Sequence, residues 1–140
     1  MLTDCSKIVL KNQVHELKRL YAEIENFSQK NNLSQKTAFS LNLVLDELAT
    51  NIISHAYQDD QNERDFSIEM CREEDRITCT LEDGGKPFNP CEQAEPETCL
   101  PLDQRKLGGL GIHLVRKKVD LFTYQRKDGK NIVRVELELK

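Results

Sequence analysis

The chain has 140 residues, 38% hydrophobic and 31% charged, which suits one core flanked by two layers and excludes a disordered chain. A formal charge of −4 argues against a general nucleic-acid binder, which normally carries a basic surplus. No segment approaches the roughly 20 apolar residues of a membrane helix, and Met1 to Cys5 has no signal-peptide core, so we expect a single cytoplasmic domain over residues 1–140 with neither membrane nor nucleic acid as partner.

Ser6 to Leu10 reads as a first strand, with Ile8 and Leu10 on one face. Val14, Leu17, Tyr21, Ile24 and Phe27 then recur at helical spacing, with His15 as a surface residue, until Asn31-Asn32 ends the helix. Ser34 is placed to cap the next helix, with Leu33 and Ala38 at the two staple positions around it. In that helix Ala38, Leu41, Leu45, Leu48, Ala49, Ile52 and Ala56 form one apolar stripe at about 100° per residue. Glu47 and Asn51 sit just off its edge, flanked by Val44 and His55, and stack one turn apart. A carboxylate and a carboxamide on the shoulder of a core helix point to a cleft, although such a pair alone is more often solvent-facing.

From Phe66 the pattern alternates. Phe66, Ile68 and Met70 share one face of a strand, and Ile77, Cys79 and Leu81 share one face of the next. For both sets to meet one core, the turn must be even-numbered and centred on Glu74-Asp75, which sets Cys79 opposite Met70 and turns Cys71 away. Five cysteines, Cys5, Cys71, Cys79, Cys91 and Cys99, are an odd number without a C-x-x-C pair. The expectation is free thiols and no zinc site, in keeping with a reducing compartment. Near the end, Leu121 to Arg126 and Ile132 to Leu139 flank the turn signal Asp128-Gly129. A two-residue turn there pairs Phe122 with Val135 and Tyr124 with Val133, leaving one covered face and one wet face, as when helices pack on a single side of a sheet.

Two glycine loops interrupt this regularity. Asp83 continues the inward parity of Ile77, Cys79 and Leu81, so its carboxylate points to the core side and needs a hydrogen-bond donor; an adenine amino group would supply one. Gly84 and Gly85 let backbone approach a flat ring, although an Asp-Gly tight turn would use the same residues. Further on, Gly108, Gly109 and Gly111 lead into a helix, where free N–H groups and the dipole suit phosphate. The loop follows no strand and lacks the Gly-Lys-Ser/Thr ending, so it is neither a Rossmann fingerprint nor a Walker A loop. The alternative is a close helix-on-sheet contact. Arg116-Lys117-Lys118 suits the helix's C-terminal end.

In order, Glu47-x-x-x-Asn51, Asp83-x-Gly85-x-x-Phe88-x-Pro90 and Gly108-Gly-Leu-Gly111-x-x-Leu-Val resemble the N, G1 and G2 boxes of the gyrase, histidine-kinase and MutL type ATPases, the GHKL superfamily. The ending Asn51-x-x-x-His55-Ala-Tyr57 and the run Pro87-Phe88-Asn89-Pro90 look most like the stand-alone anti-sigma-factor serine/threonine kinases of bacterial partner switching; a sensor kinase would carry a phosphoacceptor-histidine hairpin ahead of the motifs, and a detached sensor-kinase ATPase domain is the weaker reading.

The resemblance implies an α+β, two-layer α/β sandwich of the Bergerat type, its sheet mixed and mostly antiparallel with helices on one face. It implies an ATP-dependent protein serine/threonine kinase with ATP and Mg2+ as cofactors. Glu47 would be the catalytic base and Asn51 the magnesium ligand. Asp83 would read adenine, Gly85 would line the base, and Gly108, Gly109, Leu110 and Gly111 would form the phosphate side. Residues between Pro90 and Gly108 would form a lid, ended by Arg105 and Lys106. The implied partners are an antagonist protein as phosphoacceptor, a sigma factor, and a second copy in a homodimer. The alternative from another class is a nucleotide-gated binding module that sequesters a regulator without phosphorylating it.

Overall fold

The computed structural model describes residues 2–58, 62–92 and 109–139. Strand β1 (Leu2–Lys11) leads through a 3-10 turn, Val14–Glu16, into α1 (Leu17–Lys30) and α2 (Gln35–Asn51), which continues as a π-helical turn, Ile52–Ala56. Strands β2 (Asp65–Glu73) and β3 (Arg76–Asp83), a 3-10 turn at Pro90–Glu92, α3 (Gly109–Lys118), β4 (Leu121–Lys127) and β5 (Lys130–Glu138) follow. The strands form one sheet in the order β1-β2-β3-β5-β4. All its pairings are antiparallel, so the parallel component that a mixed sheet would include does not occur among the described residues.

Both hairpin registers follow from side-chain parity. Met70 lies opposite Cys79 and Ile68 opposite Leu81, while Phe122 lies opposite Val135 and Tyr124 opposite Val133. The second turn works because Asp128 and Gly129 adopt φ of 52° and 76°, the left-handed pair that matches the twist of a two-residue hairpin. The Ser34 hydroxyl accepts from the Thr37 N–H at 3.1 Å, capping α2 as expected. The inward faces of β2, β3 and β5 share one core with α1, α2 and α3.

Three expectations are corrected. Val14 is 68% exposed and Tyr21 39%, because Val14 belongs to the 3-10 turn and the helical phase starts only at Leu17. The buried stripe of α1 is Leu17, Leu20, Ile24 and Phe27, and Tyr21 falls over its edge, donating its hydroxyl to Asp46. Val44 lies fully within the core stripe of α2 rather than beside it. The third correction concerns the thiols. Because β1 begins at Leu2 rather than Ser6, it carries Cys5 into the sheet directly opposite Cys71, and the two are joined in a disulfide. The register that separates Cys71 from Cys79 leaves it facing β1 instead. The bond closes a loop with a sequence separation of 66 residues, worth about 4 kcal/mol in the chain-entropy account. The thiol argument for a reducing compartment therefore falls. Among the described residues no helix is long and apolar enough to cross a membrane.

Candidate functional site

The C-terminal half of α2 carries the first two candidate residues. Asn51 is 8% exposed, and its Nδ2 has no hydrogen-bond partner among the described residues. Buried amides are nearly always paired, so an unpartnered one beside a cavity suits an acceptor supplied by a ligand. Glu47, one turn earlier, is half-buried. Burial pushes its carboxyl above the ordinary carboxylate value, and the neighbouring Asp46 charge adds to the effect. Its carboxylate lies against the first turn of α3: a Cβ on Gly111 would stand 2.0 Å from Glu47 Oε2. The glycine in the second loop thus makes room for this side chain.

Asp83, 4% exposed, ends β3 with its carboxylate directed inward. Oδ1 accepts from the Gly85 N–H and from Asn131 Nδ2, each at 2.9 Å. Desolvation nevertheless dominates and raises its pKa. The carboxylate's need for a donor is therefore met in part by the protein itself. Gly85 likewise has an internal role: an added Cβ would meet the Ala56 carbonyl oxygen at 2.3 Å, and the adjacent Lys86 N–H donates to that oxygen at 2.9 Å. The loop is held by every residue of the His55-Ala56-Tyr57 run. His55 stacks on Phe88 with ring centroids 4.7 Å apart, and the Tyr57 hydroxyl accepts from the Gly84 N–H at 2.9 Å while donating to the Asp65 carbonyl at 2.6 Å.

Sequence reasoning missed Asn131. It lies opposite Asp83 in the β3/β5 register and is 1% exposed. Parity carried a signal: Asn131 stands two residues before Val133 on the inward face, where an amide needs a reason. Arg64 and Arg126 were also missed. Their guanidinium groups donate to the Gly84 carbonyl at 2.9 Å and the Gly85 carbonyl at 2.8 Å, fixing the backbone of the loop.

Asp83 and Asn51 line one cavity with Leu48, Ile52 and Phe88, and it offers about 10 Å³. That is room for about one water, while the other side of Asp83 borders a more open cavity of about 360 Å³ lined by Tyr57, Arg64 and Gly84. Glu47 stands one turn away along α2, toward α3. A wider groove of about 820 Å³ between α1 and α2, lined by Tyr21, Ser28, Phe39 and Asn42, holds none of the candidate residues. Gly109 and Leu110 lie in the first turn of α3. Gly108, Arg105, Lys106, Cys99 and most of the lid segment fall outside the described residues. Among those residues no group of three or more His, Cys, Asp or Glu could hold a metal. A divalent cation here would take phosphate oxygens and water as most of its ligands, as magnesium commonly does, with Asn51 as the protein's contribution.

Residues 10–137 match the histidine kinase-like ATPase domain. The chain is 28% identical over 109 residues to the serine/threonine-protein kinase BtrW of Bordetella bronchiseptica, covering 77% of this chain and 75% of that protein. It is 31% identical over 93 residues to the serine-protein kinase RsbW of Bacillus subtilis, covering 64% of this chain and 58% of RsbW. Among solved structures, that of the RsbU and RsbW domains of Rv1364c from Mycobacterium tuberculosis superposes on 98% of this chain and 33% of its own, with a TM-score of 0.70 at 11% identity. The SiaB-SiaC complex from Pseudomonas aeruginosa gives a TM-score of 0.61 at 12% identity, over 99% of this chain and 91% of its own. At such identities these structures speak to the fold alone.

Proposed function

This chain belongs to the histidine kinase-like ATPase domain family, and on that premise we propose that it is an ATP-dependent serine/threonine protein kinase acting as an anti-sigma factor in partner switching. The observation that carries this reading is the placement of Glu47: a half-buried carboxylate of raised basicity, one turn from Asn51, whose Nδ2 has no hydrogen-bond partner among the described residues. A module that only bound nucleotide would have no use for a base there. Relatives named as serine/threonine-protein and serine-protein kinases support the same reading.

In this mechanism Asp83 accepts a hydrogen bond from the adenine amino group, and Asn51 faces the phosphates. Magnesium bound there would neutralise phosphate charge. Glu47 accepts the proton of a serine or threonine hydroxyl as its oxygen forms a bond to the γ-phosphorus and the bond to the ADP oxygen breaks. The phosphoacceptor is an antagonist protein and the sequestered partner a sigma factor, with the kinase acting in the cytoplasm as a homodimer. The test is transfer from γ-labelled ATP to proteins that co-purify with the chain, comparing wild type with Glu47→Ala. Label on a serine or threonine with wild type alone supports the kinase; equal labelling removes the assignment of Glu47, and no labelling of any captured partner favours the nucleotide-gated binding module.

A further inference from the structure

Asn131 sits where the closing hairpin meets the first glycine loop, and all of its hydrogen-bonding capacity is used. Its amide hydrogens go to Asp83 Oδ1 at 2.9 Å and to the Lys86 carbonyl at 2.8 Å. Its Oδ1 accepts from the Tyr124 hydroxyl at 2.5 Å, from Arg126 at 3.1 Å and from the Phe88 N–H at 3.3 Å. This pattern admits one orientation of the amide. Turned over, the side chain would set its N–H groups against the Arg126 and Phe88 donors and its oxygen against a carboxylate and a carbonyl.

We propose that Asn131 is a positioning residue for base selectivity: it pins the Asp83 carboxylate so that the site accepts a purine bearing an exocyclic amino group and rejects one bearing an oxo group. The proposal rests on the reading of Asp83 as the adenine contact. Among the described residues both hydrogen bonds to Asp83 fall on Oδ1, which directs Oδ2 to the ligand as an acceptor. An amino group meets that oxygen as a donor. An oxo group meets it acceptor to acceptor, which leaves two buried groups unpaired, the condition under which enzymes reject a near-isostere strongly.

Removing Asn131 leaves Oδ1 with the Gly85 N–H alone. The carboxylate is then free to rotate, and burial, which already raises its pKa, favours the neutral acid. A neutral acid carries an O–H that can donate to an oxo group, so discrimination fails in a defined direction. Tyr124 and Arg126 act one step further out by orienting the Asn131 carbonyl. Arg126 also holds the Gly85 carbonyl at 2.8 Å, tying the base pocket to β4.

The experiment is calorimetric titration of the whole chain with ADP and with inosine diphosphate, which has an oxo group in place of the exocyclic amino group and carries a hydrogen on N1. Wild type should prefer ADP by about 10²-fold, the worth of exchanging one buried hydrogen bond for an acceptor clash. Asn131→Leu should weaken ADP by about tenfold or more while inosine diphosphate stays the same or tightens. Tyr124→Phe, which leaves Asn131 in place, should lower the preference in the same direction by less, and it carries the test if Asn131→Leu fails to fold. Equal loss for both nucleotides, or an unchanged preference, would mean that Asn131 only supports the loop and would overturn the proposal. Asp83→Ala separates the two levels. If it binds ADP like wild type, the adenine reading itself fails and the proposal with it; if it loses ADP while Asn131→Leu keeps the preference, only the proposal fails.

Discussion

Two glycine-to-alanine substitutions should separate folding from catalysis in this protein. At Gly85 the new Cβ would sit 2.3 Å from the carbonyl oxygen of Ala56 and 2.7 Å from its carbon, both backbone atoms at the end of a packed helix. The loop must retreat, which strains the contact by about 1–3 kcal/mol and loosens the Lys86 to Ala56 hydrogen bond, worth about 1 kcal/mol. For a chain of this size such a loss lowers Tm by about 10 °C. At Gly111 the new Cβ would stand 2.0 Å from Glu47 Oε2, the far end of a flexible side chain that can swing aside. Alanine's better helix propensity, about 0.5–1 kcal/mol, offsets that displacement, so Tm should stay within about 3 °C of wild type. Phosphotransfer should nevertheless fall by about 10²–10⁴, the usual cost of a lost general base, because the carboxylate has been moved. Thermal melts followed by circular dichroism, with transfer from γ-labelled ATP to the partner, measure both. A Gly111→Ala protein that melts as low as Gly85→Ala, or that transfers phosphate at the wild-type rate, would refute the packing of Glu47 on α3.

Glu47→Ala should keep ATP affinity within a few-fold by calorimetry while losing transfer by about 10²–10⁴, whereas Asn51→Ala should lose both transfer and the magnesium dependence of binding. Asp83→Asn should raise Tm in the absence of nucleotide at neutral pH while weakening nucleotide binding. The carboxylate's pKa is raised in the folded state, so its contribution to stability is fully present below the unfolded value and is lost as pH rises through the folded one. The gain over wild type should thus shrink as pH falls toward about 4, and a pH-independent difference would refute the desolvation argument. Thiol titration of denatured, non-reduced protein should find two fewer free thiols than the five cysteines in the chain. Cys5→Ser should restore reactivity at Cys71, and five titratable thiols in wild type would remove the disulfide.

What was legible in the sequence was what repeats with a period. The registers that set Ile68 opposite Leu81 and Phe122 opposite Val135 came from alternation and the turn positions at Glu74-Asp75 and Asp128-Gly129, because slipping one residue would turn every apolar side chain into water. The Ser34 cap was legible because capping is local. Tyr21 and Val14 misled because helical spacing says nothing of where the phase begins, and a 3-10 turn at Val14–Glu16 reset it. Cys5 misled for a related reason: strand ends are weakly specified, and the four residues ahead of Ser6 decided whether a cysteine entered the sheet. Asn131 carried a parity signal, yet its role depends on five partners scattered from Asp83 to Arg126 that only the fold brings together.

The motifs stand far apart in the chain but are organised by one helix end, and its π-helical turn is what makes that possible. The Tyr57 N–H donates to the Ile52 carbonyl at 3.0 Å, five residues back, so Tyr57 rather than Ala56 comes to lie over Ile52. In an uninterrupted α-helix Tyr57 would be rotated about 100° from that line, away from the core that now buries it. Its hydroxyl would then not reach the Gly84 N–H. The same widened turn presents the Ala56 carbonyl to Gly85 and Lys86 and the His55 ring to Phe88, while the regular α turn before it keeps Glu47 stacked one turn from Asn51. One continuous element thus contacts the start of α3 at Glu47 and the Asp83 loop at three successive residues. An outward movement of Phe88 would break its stack on His55, so a displacement of the Asp83 loop would be felt on the same helix that carries Glu47.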